Sequence, residues 1–149
     1  LYAGSGNFSI PLAGVAERVL AVEWSRGLVS RGRLNARWNG RDNVEFREMD
    51  AVRALAELKG GLEGGGTLVV DPPREGAKEA AGLIPQTGAC RVVYVSCNPT
   101  TLARDLKPLL QAGYALRGLR LFDMFPQTFH LESVAFLERE PLSGSPGGG

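Results

Sequence analysis

The chain has 149 residues, about one domain's length, of which 44% are hydrophobic, 22% charged and 7% aromatic. Such a composition can bury one real core, which excludes a disordered tail, a collagen-like fibre and a disulfide-stapled miniprotein. Seventeen basic against sixteen acidic side chains leave a formal charge of +1, so the net charge by itself makes no claim on nucleic acid or membrane.

The predicted elements alternate along the chain. Leu1-Tyr2-Ala3 reads as the stub of a first strand whose beginning is missing, since strands usually run ~5–6 residues. Short apolar runs at 19–22, 43–46, 67–70 and 92–96 read as buried strands, and helical spacing covers 7–17, 25–39, 51–59, 75–84 and 100–112. Two further strands, 116–122 and 133–137, close the series without a helix between them. The expected fold is α/β, a mostly parallel sheet with helices on both faces. One domain is expected over 1–140, followed by a flexible Gly/Pro/Ser tail at 141–149.

In open parallel sheets, ligands bind beyond the carboxyl ends of the strands. Here each strand ends in a polar or reactive cluster: Gly4-Ser5-Gly6-Asn7, Glu23, Asp50, Asp71-Pro72-Pro73 and Ser96-Cys97-Asn98-Pro99. These clusters are expected to share one rim. Glycines at 4 and 6 allow a tight turn and close approach of backbone to a ligand. Alone they also fit a plain strand–helix turn. Glu23, 17 residues after Gly6, stands where an acid accepts ribose hydroxyls. Ser9 replaces the third glycine of the dinucleotide pattern, which favours S-adenosylmethionine, a ribose ligand without pyrophosphate, over nicotinamide or flavin. Asp50 suits an adenine edge or a helix N-cap equally well.

Asp71-Pro72-Pro73-Arg74 fixes the backbone after an apolar strand and holds a carboxylate that needs a partner. Proline turns of this kind also grip exocyclic amines in amino-methylating enzymes. Cys97 is the candidate nucleophile, because it ends a strand and precedes a helix N-terminus, where positive potential favours a thiolate. Cys90 reads as a small core residue or one at the start of a strand. Glu132, between apolar residues, suits a partly buried general base, and His130 reads as structural. Five arginines, at 26, 31, 33, 37 and 41, run without an intervening acid and read as a solvated helix face ahead of a phosphate contact. Trp24 fits an adenine wall or the core, and Met49 and Met124 fit packing. One histidine and two cysteines seven apart make neither a zinc quartet nor a disulfide framework. No apolar run reaches the ~20 residues of a membrane span and no signal peptide opens the chain, so a cytoplasmic domain without a membrane partner is expected.

Laid together, the segments LYAGSGNFSIPLA, AVEWS, NGRDNVEF, VVDPPREGA, VVYVSCNPTTLARDL and DMFPQTFHLESVAFLER resemble the RNA uracil-5-methyltransferases that form 5-methyluridine. The resemblance runs from Leu1 to about Arg139, and SCNP with DMFPQT-x-HLE carries most of its specificity. It implies a Rossmann-like, class I methyltransferase sheet with an antiparallel last strand. It also implies S-adenosylmethionine contacts at Tyr2, Asn7, Glu23, Asp50 and Asp71 beside the Gly4–Gly6 turn, a nucleophile at Cys97 and a base at Glu132. The family usually has Cys at the position of Ala3. It also carries an N-terminal RNA-binding barrel, a further domain and an upstream Gln, and these lie outside this sequence.

The chemistry implied is covalent. Carbon 5 of uracil is a weak nucleophile until a thiolate adds to carbon 6, and a base must then remove the carbon-5 proton. Both groups must reach one base, so the uridine is expected to flip out of its stack. The implied partner is RNA, with 23S ribosomal RNA favoured over transfer RNA and the protein acting as a monomer. The alternatives are an amino-methylating enzyme using the Asp71-Pro72-Pro73 turn, and a non-catalytic S-adenosylmethionine-binding remnant.

Overall fold

The computed structural model describes residues 1–63, 65–123 and 131–139, and the chain forms two compact units, Leu1–Ala54 and Leu55–Gly149. Met124, His130 and the tail at 141–149 lie outside the described residues.

In the first unit the residues before the glycine turn run beside β1 (Val19–Glu23), with Ala3 N donating to Val22 O at 3.0 Å. β1 pairs in parallel with β2 (Val44–Glu48), from Val19↔Val44 to Glu23↔Glu48. The helix expected over 7–17 is only α1 (Ser9–Leu12), continued by turn bonds from Gly14 N to Pro11 O and from Val15 N to Leu12 O. Gly14 accounts for the stop, since glycine costs a helix about 1 kcal/mol relative to alanine. α2 (Arg26–Trp38) buries Val29, Gly32 and Ala36, one stripe of the helix, against Ala21 and Phe46. A Cβ at Gly32 would run into the Phe46 ring, so the missing side chain is what lets helix and sheet approach this closely. α3 (Ala51–Glu57) follows β2 and is shorter than the expected 51–59.

The second unit holds β3 (Thr67–Val70), α4 (Lys78–Leu83), a 3-10 turn at Ile84–Thr87, β4 (Arg91–Ser96), α5 (Pro99–Gln111), β5 (Ala115–Phe122) and β6 (Glu132–Glu138). The strand order is β3-β4-β6-β5. β3 and β4 are parallel, and β6 runs antiparallel to both β4 and β5. β3, β4 and β5 therefore point the same way and only the last strand is reversed, as expected. α5 buries Leu102, Asp105, Leu106 and Leu109. These positions, i, i+3, i+4 and i+7, form one stripe, and each fully buried leucine contributes ~1.5–3 kcal/mol. The helix expected from 75 starts only at Lys78, because Gly76 adopts φ +78°, outside helical geometry. β5 is an edge strand and most of its side chains are exposed. Among the described residues, no helix is long and apolar enough to cross a membrane.

Candidate active site

Glu23 organises the first unit's rim. Its side chain is buried, 6% exposed, and its two carboxylate oxygens accept from Gly4 N at 3.0 Å and Ser25 N at 2.9 Å. The carboxylate thus clamps the glycine turn to the end of β1 and keeps lone pairs free for further donors. Gly4 and Gly6 both lie in the left-handed region, at φ +56° and +99°. A Cβ on Gly6 would meet Ile10 Cδ1 at 2.9 Å and Phe46 Cζ at 3.0 Å, so this position requires glycine. Nothing lies within 4 Å of the Cβ position of Gly4, which leaves open space above the turn. Tyr2 holds φ +59°, a conformation that costs a bulky side chain ~1–3 kcal/mol and that gathers at ligand sites. Asn7 is exposed at the end of the turn.

Asp50 follows Met49, whose N–H donates to Glu23 O at 3.0 Å. Its Oδ1 accepts from Val52 N at 2.9 Å and Arg53 N at 3.2 Å, so it caps α3 while remaining exposed. Of the two uses open to Asp50 in the sequence, capping is the one seen within the chain. Trp24 is 75% exposed, which removes the core-packing reading. Tyr2, Gly4, Gly6, Asn7, Glu23 and Asp50 are therefore all set at the carboxyl ends of β1 and β2 or on the turn bound to them.

The second unit carries Asp71, Cys97 and Glu132. Ser96 and Ser133 are the last ladder pair between β4 and β6. Cys97 is the residue just past the end of β4, and Glu132 is the first residue of β6. Glu132 is paired with Phe122 of β5. Asp71 ends β3 beside them: burial pushes its carboxyl above the ordinary aspartate range, and the Glu132 carboxylate raises it further. No hydrogen bond partners Asp71 among the described residues.

A network that sequence reasoning missed locks the two loops together. Asn98 caps α5 by accepting from Thr100 N at 3.0 Å and donates Nδ2 to Arg74 O at 3.3 Å. Thr101 Oγ1 donates to the same carbonyl at 3.3 Å, and Arg104 Nη2 donates to Glu75 O at 2.8 Å. Behind them Asp105, 1% exposed, accepts from Ala77 N and Tyr94 Oη at 2.6 Å each and from Arg104 Nε at 2.7 Å. Burial alone pushes the Asp105 carboxyl up, but the hydrogen bonds from Arg104, Tyr94 and the Ala77 N–H outweigh it and hold it below the usual range. A Cβ on Gly76 would collide with Asp105 Oδ2. The available signal was an aspartate on the apolar stripe of a helix, which burial makes costly unless it is bonded. Cys90 stands just before β4, half-buried, at the start of the strand rather than in the core.

A family model described as tRNA (uracil-5-)-methyltransferase matches residues 1–140. The chain belongs to this family. It is 46% identical over 138 residues to a 23S rRNA (uracil(1939)-C(5))-methyltransferase, RlmD, of Pseudomonas savastanoi, covering 93% of this chain and 31% of the relative. It is 47% identical over 141 residues to the RlmD of Alkalilimnicola ehrlichii, covering 94% and 32%. The chain thus spans about a third of these relatives' length. Among solved structures it resembles the tRNA (uracil-54, C5)-methyltransferase of Pyrococcus abyssi in complex with S-adenosyl-L-homocysteine, with a TM-score of 0.75 and 33% identity over 91% of this chain and 32% of that one. The magnesium protoporphyrin IX methyltransferase of Synechocystis, at 17% identity and a TM-score of 0.68 over 93% of this chain and 67% of that one, shares the fold alone. The architecture is the class I methyltransferase fold, as the sequence led one to expect.

Proposed function

We propose that this chain is the catalytic portion of an S-adenosylmethionine-dependent RNA uracil-5-methyltransferase acting on a uridine in 23S ribosomal RNA. The observation that supports the reading is the antiparallel pairing of β4 with β6, which ends at Ser96↔Ser133 with Cys97 and Glu132 as the adjoining residues. A sulfur nucleophile and a carboxylate from distant stretches of chain would there serve one planar base.

Each unit carries groups suited to S-adenosylmethionine. In the first, Glu23 has lone pairs to spare for ribose hydroxyls and Gly4 leaves open space above its turn; in the second, Asp71 is a part-buried carboxylate near Glu132. The donor, when bound, supplies an electrophilic methyl on a positively charged sulfur. A pair of neighbouring carboxylates favours such a cation. Tyr2, Gly6, Asn7 and Asp50 complete the proposed contacts.

Cys97, as thiolate, adds to carbon 6 of the uracil and turns the ring into an enolate with electron density at carbon 5. After carbon 5 has been methylated, Glu132 removes its proton, and the electron pair re-forms the 5,6 double bond as the Cys97 sulfur leaves. Covalent catalysis is followed by general-base catalysis, one residue for each step. The network through Asn98, Thr101, Arg104 and Asp105 holds the Asp71 and Cys97 loops in fixed register, which suits a reaction needing near-attack geometry.

Ribosomal RNA is favoured because the RlmD relatives are 46–47% identical, against 33% for the archaeal tRNA enzyme. The test uses 5-fluorouridine-substituted RNA, from which fluorine cannot leave as a proton. A covalent protein–RNA band is expected with 23S transcript and is lost in Cys97→Ala. Adduct formation by Cys97→Ala would refute the nucleophile assignment. Methylation of tRNA transcript but not of 23S would move the substrate to the other branch, and methyl transfer surviving in Cys97→Ser would favour the amino-methylating alternative.

A further inference from the structure

The five-arginine run from Arg26 to Arg41 has no part in the rim just described. All eight basic residues of Leu1–Ala54 are arginines, and the chain's three lysines all lie beyond it. At 100° per residue, Arg26, Arg33 and Arg37 fall within ~40° of one face of α2 and span ~16 Å of its axis. A groove of about 690 Å³ opens between α2 and β2, lined by Arg33, Arg37, Arg41 and Arg47 together with Asp42, Glu45 and Glu48.

The charges in the groove are unequally engaged. The Glu45 carboxylate is bound by Arg18 at 2.5 Å and Arg47 at 2.6 Å. Arg33 Nη2 donates to Phe46 O at 2.9 Å but keeps its positive charge. The Arg37 side chain has no hydrogen bond or ion pair among the described residues, and Arg41 Nε is buried there without a partner. Arg33 and Arg37, four apart on one helix, repel each other with no acid on α2 to relieve them. The Trp38 indole, beside Arg37 at the end of the helix, is 80% exposed. Unpaired guanidinium forks beside an exposed aromatic face are the chemistry that grips phosphodiesters and stacks on an unpaired base.

We propose that the α2–β2 groove binds the phosphodiester backbone of the RNA, through Arg37 and Arg41, with Trp38 as a stacking surface. This rests on the RNA methyltransferase reading and adds to it a surface that touches no reacting atom. A solvated helix face is the competing account.

The experiment measures binding of unmodified 23S transcript by the full-length protein across a potassium chloride series, alongside steady-state methylation. Arg37→Gln breaks no bond within the chain. It is expected to flatten the slope of log K against log salt by about 0.7–0.9, the value of one lost phosphate contact. Arg37→Gln/Arg41→Gln is expected to flatten it by about twice that and to raise KM for RNA roughly tenfold with kcat unchanged. Arg31→Gln, ~140° around the helix from Arg26, is expected to change neither quantity. Wild-type slope and KM in Arg37→Gln and in the folded double variant would overturn the groove. A parent protein that binds the transcript with the expected slope changes but transfers no methyl would overturn the activity and leave the groove standing.

Discussion

Cys97 stands one residue past the end of β4 and Glu132 opens β6, its antiparallel neighbour, so both flank the Ser96↔Ser133 pair although they lie 35 positions apart in the chain. The proposed roles, Cys97 as nucleophile and Glu132 as base, predict two different failures. In Cys97→Ala no covalent species forms and methylation falls by at least about 10³-fold. In Glu132→Gln the thiolate still adds but the proton is not removed, so turnover falls ~10²–10⁴-fold while a protein–RNA adduct accumulates on ordinary uridine. Denaturing gels of both variants with unsubstituted transcript check this: a band for Glu132→Gln and none for Cys97→Ala.

Asp71 makes a prediction in pH. Its carboxyl is raised by burial and then by Glu132, so the native state favours the protonated form. The stability this contributes is fully present below the unfolded value of ~3.9 and is lost as pH rises through the higher folded value. Asp71→Asn is therefore expected to raise Tm at pH 7 and to change it little at pH 3.5, while weakening S-adenosylmethionine binding. Calorimetric melts at the two pH values test the sign. Glu132→Gln is expected to lower the Asp71 titration midpoint, read by NMR of the side-chain carbon.

The buried Asp105 carboxylate behaves in the opposite sense. Its hydrogen bonds lower its pKa, so its contribution is present above ~3.9 and lost as pH falls through the lower folded value. Asp105→Ala leaves Tyr94 Oη and Ala77 N without their buried acceptor and is expected to cost about 3 kcal/mol at pH 7. Denaturant unfolding measures the loss, and the difference from the parent narrows as both proteins are taken into acid.

Gly32 tests packing alone. A methyl there meets the Phe46 ring, so Gly32→Ala must push α2 off the β1–β2 pair. The gain in helix propensity, ~1 kcal/mol, is outweighed by overpacking, with a net loss of ~1–2 kcal/mol expected in denaturant melts. A stabilised variant would show that the helix can slide without cost.

Most elements were legible in the chain because their signals are local. Four-residue apolar runs ending in acids, polar helix starts and the prolines after β3 place strands, helices and turns without long-range information. The expected segments 19–22, 67–70 and 92–96 match β1, β3 and β4 to within a residue. The misjudged ends of α1 and α4 come from Gly14, a poor helix former, and from Gly76, whose φ of +78° lies outside helical geometry. SCNP and HLE offered a candidate nucleophile, Cys97, and a candidate base, Glu132, 35 positions apart. Periodicity could not say that β6 would pair antiparallel with β4 and end at Ser96↔Ser133, next to both residues, because register is a property of two strands together. Nor could it say that Asp105, to all appearance a polar break in an apolar stripe, would hold the loop carrying Asp71 against the helix that follows Cys97. A buried charge is stable only where partners from elsewhere in the chain converge on it, and that convergence exists only in the folded molecule.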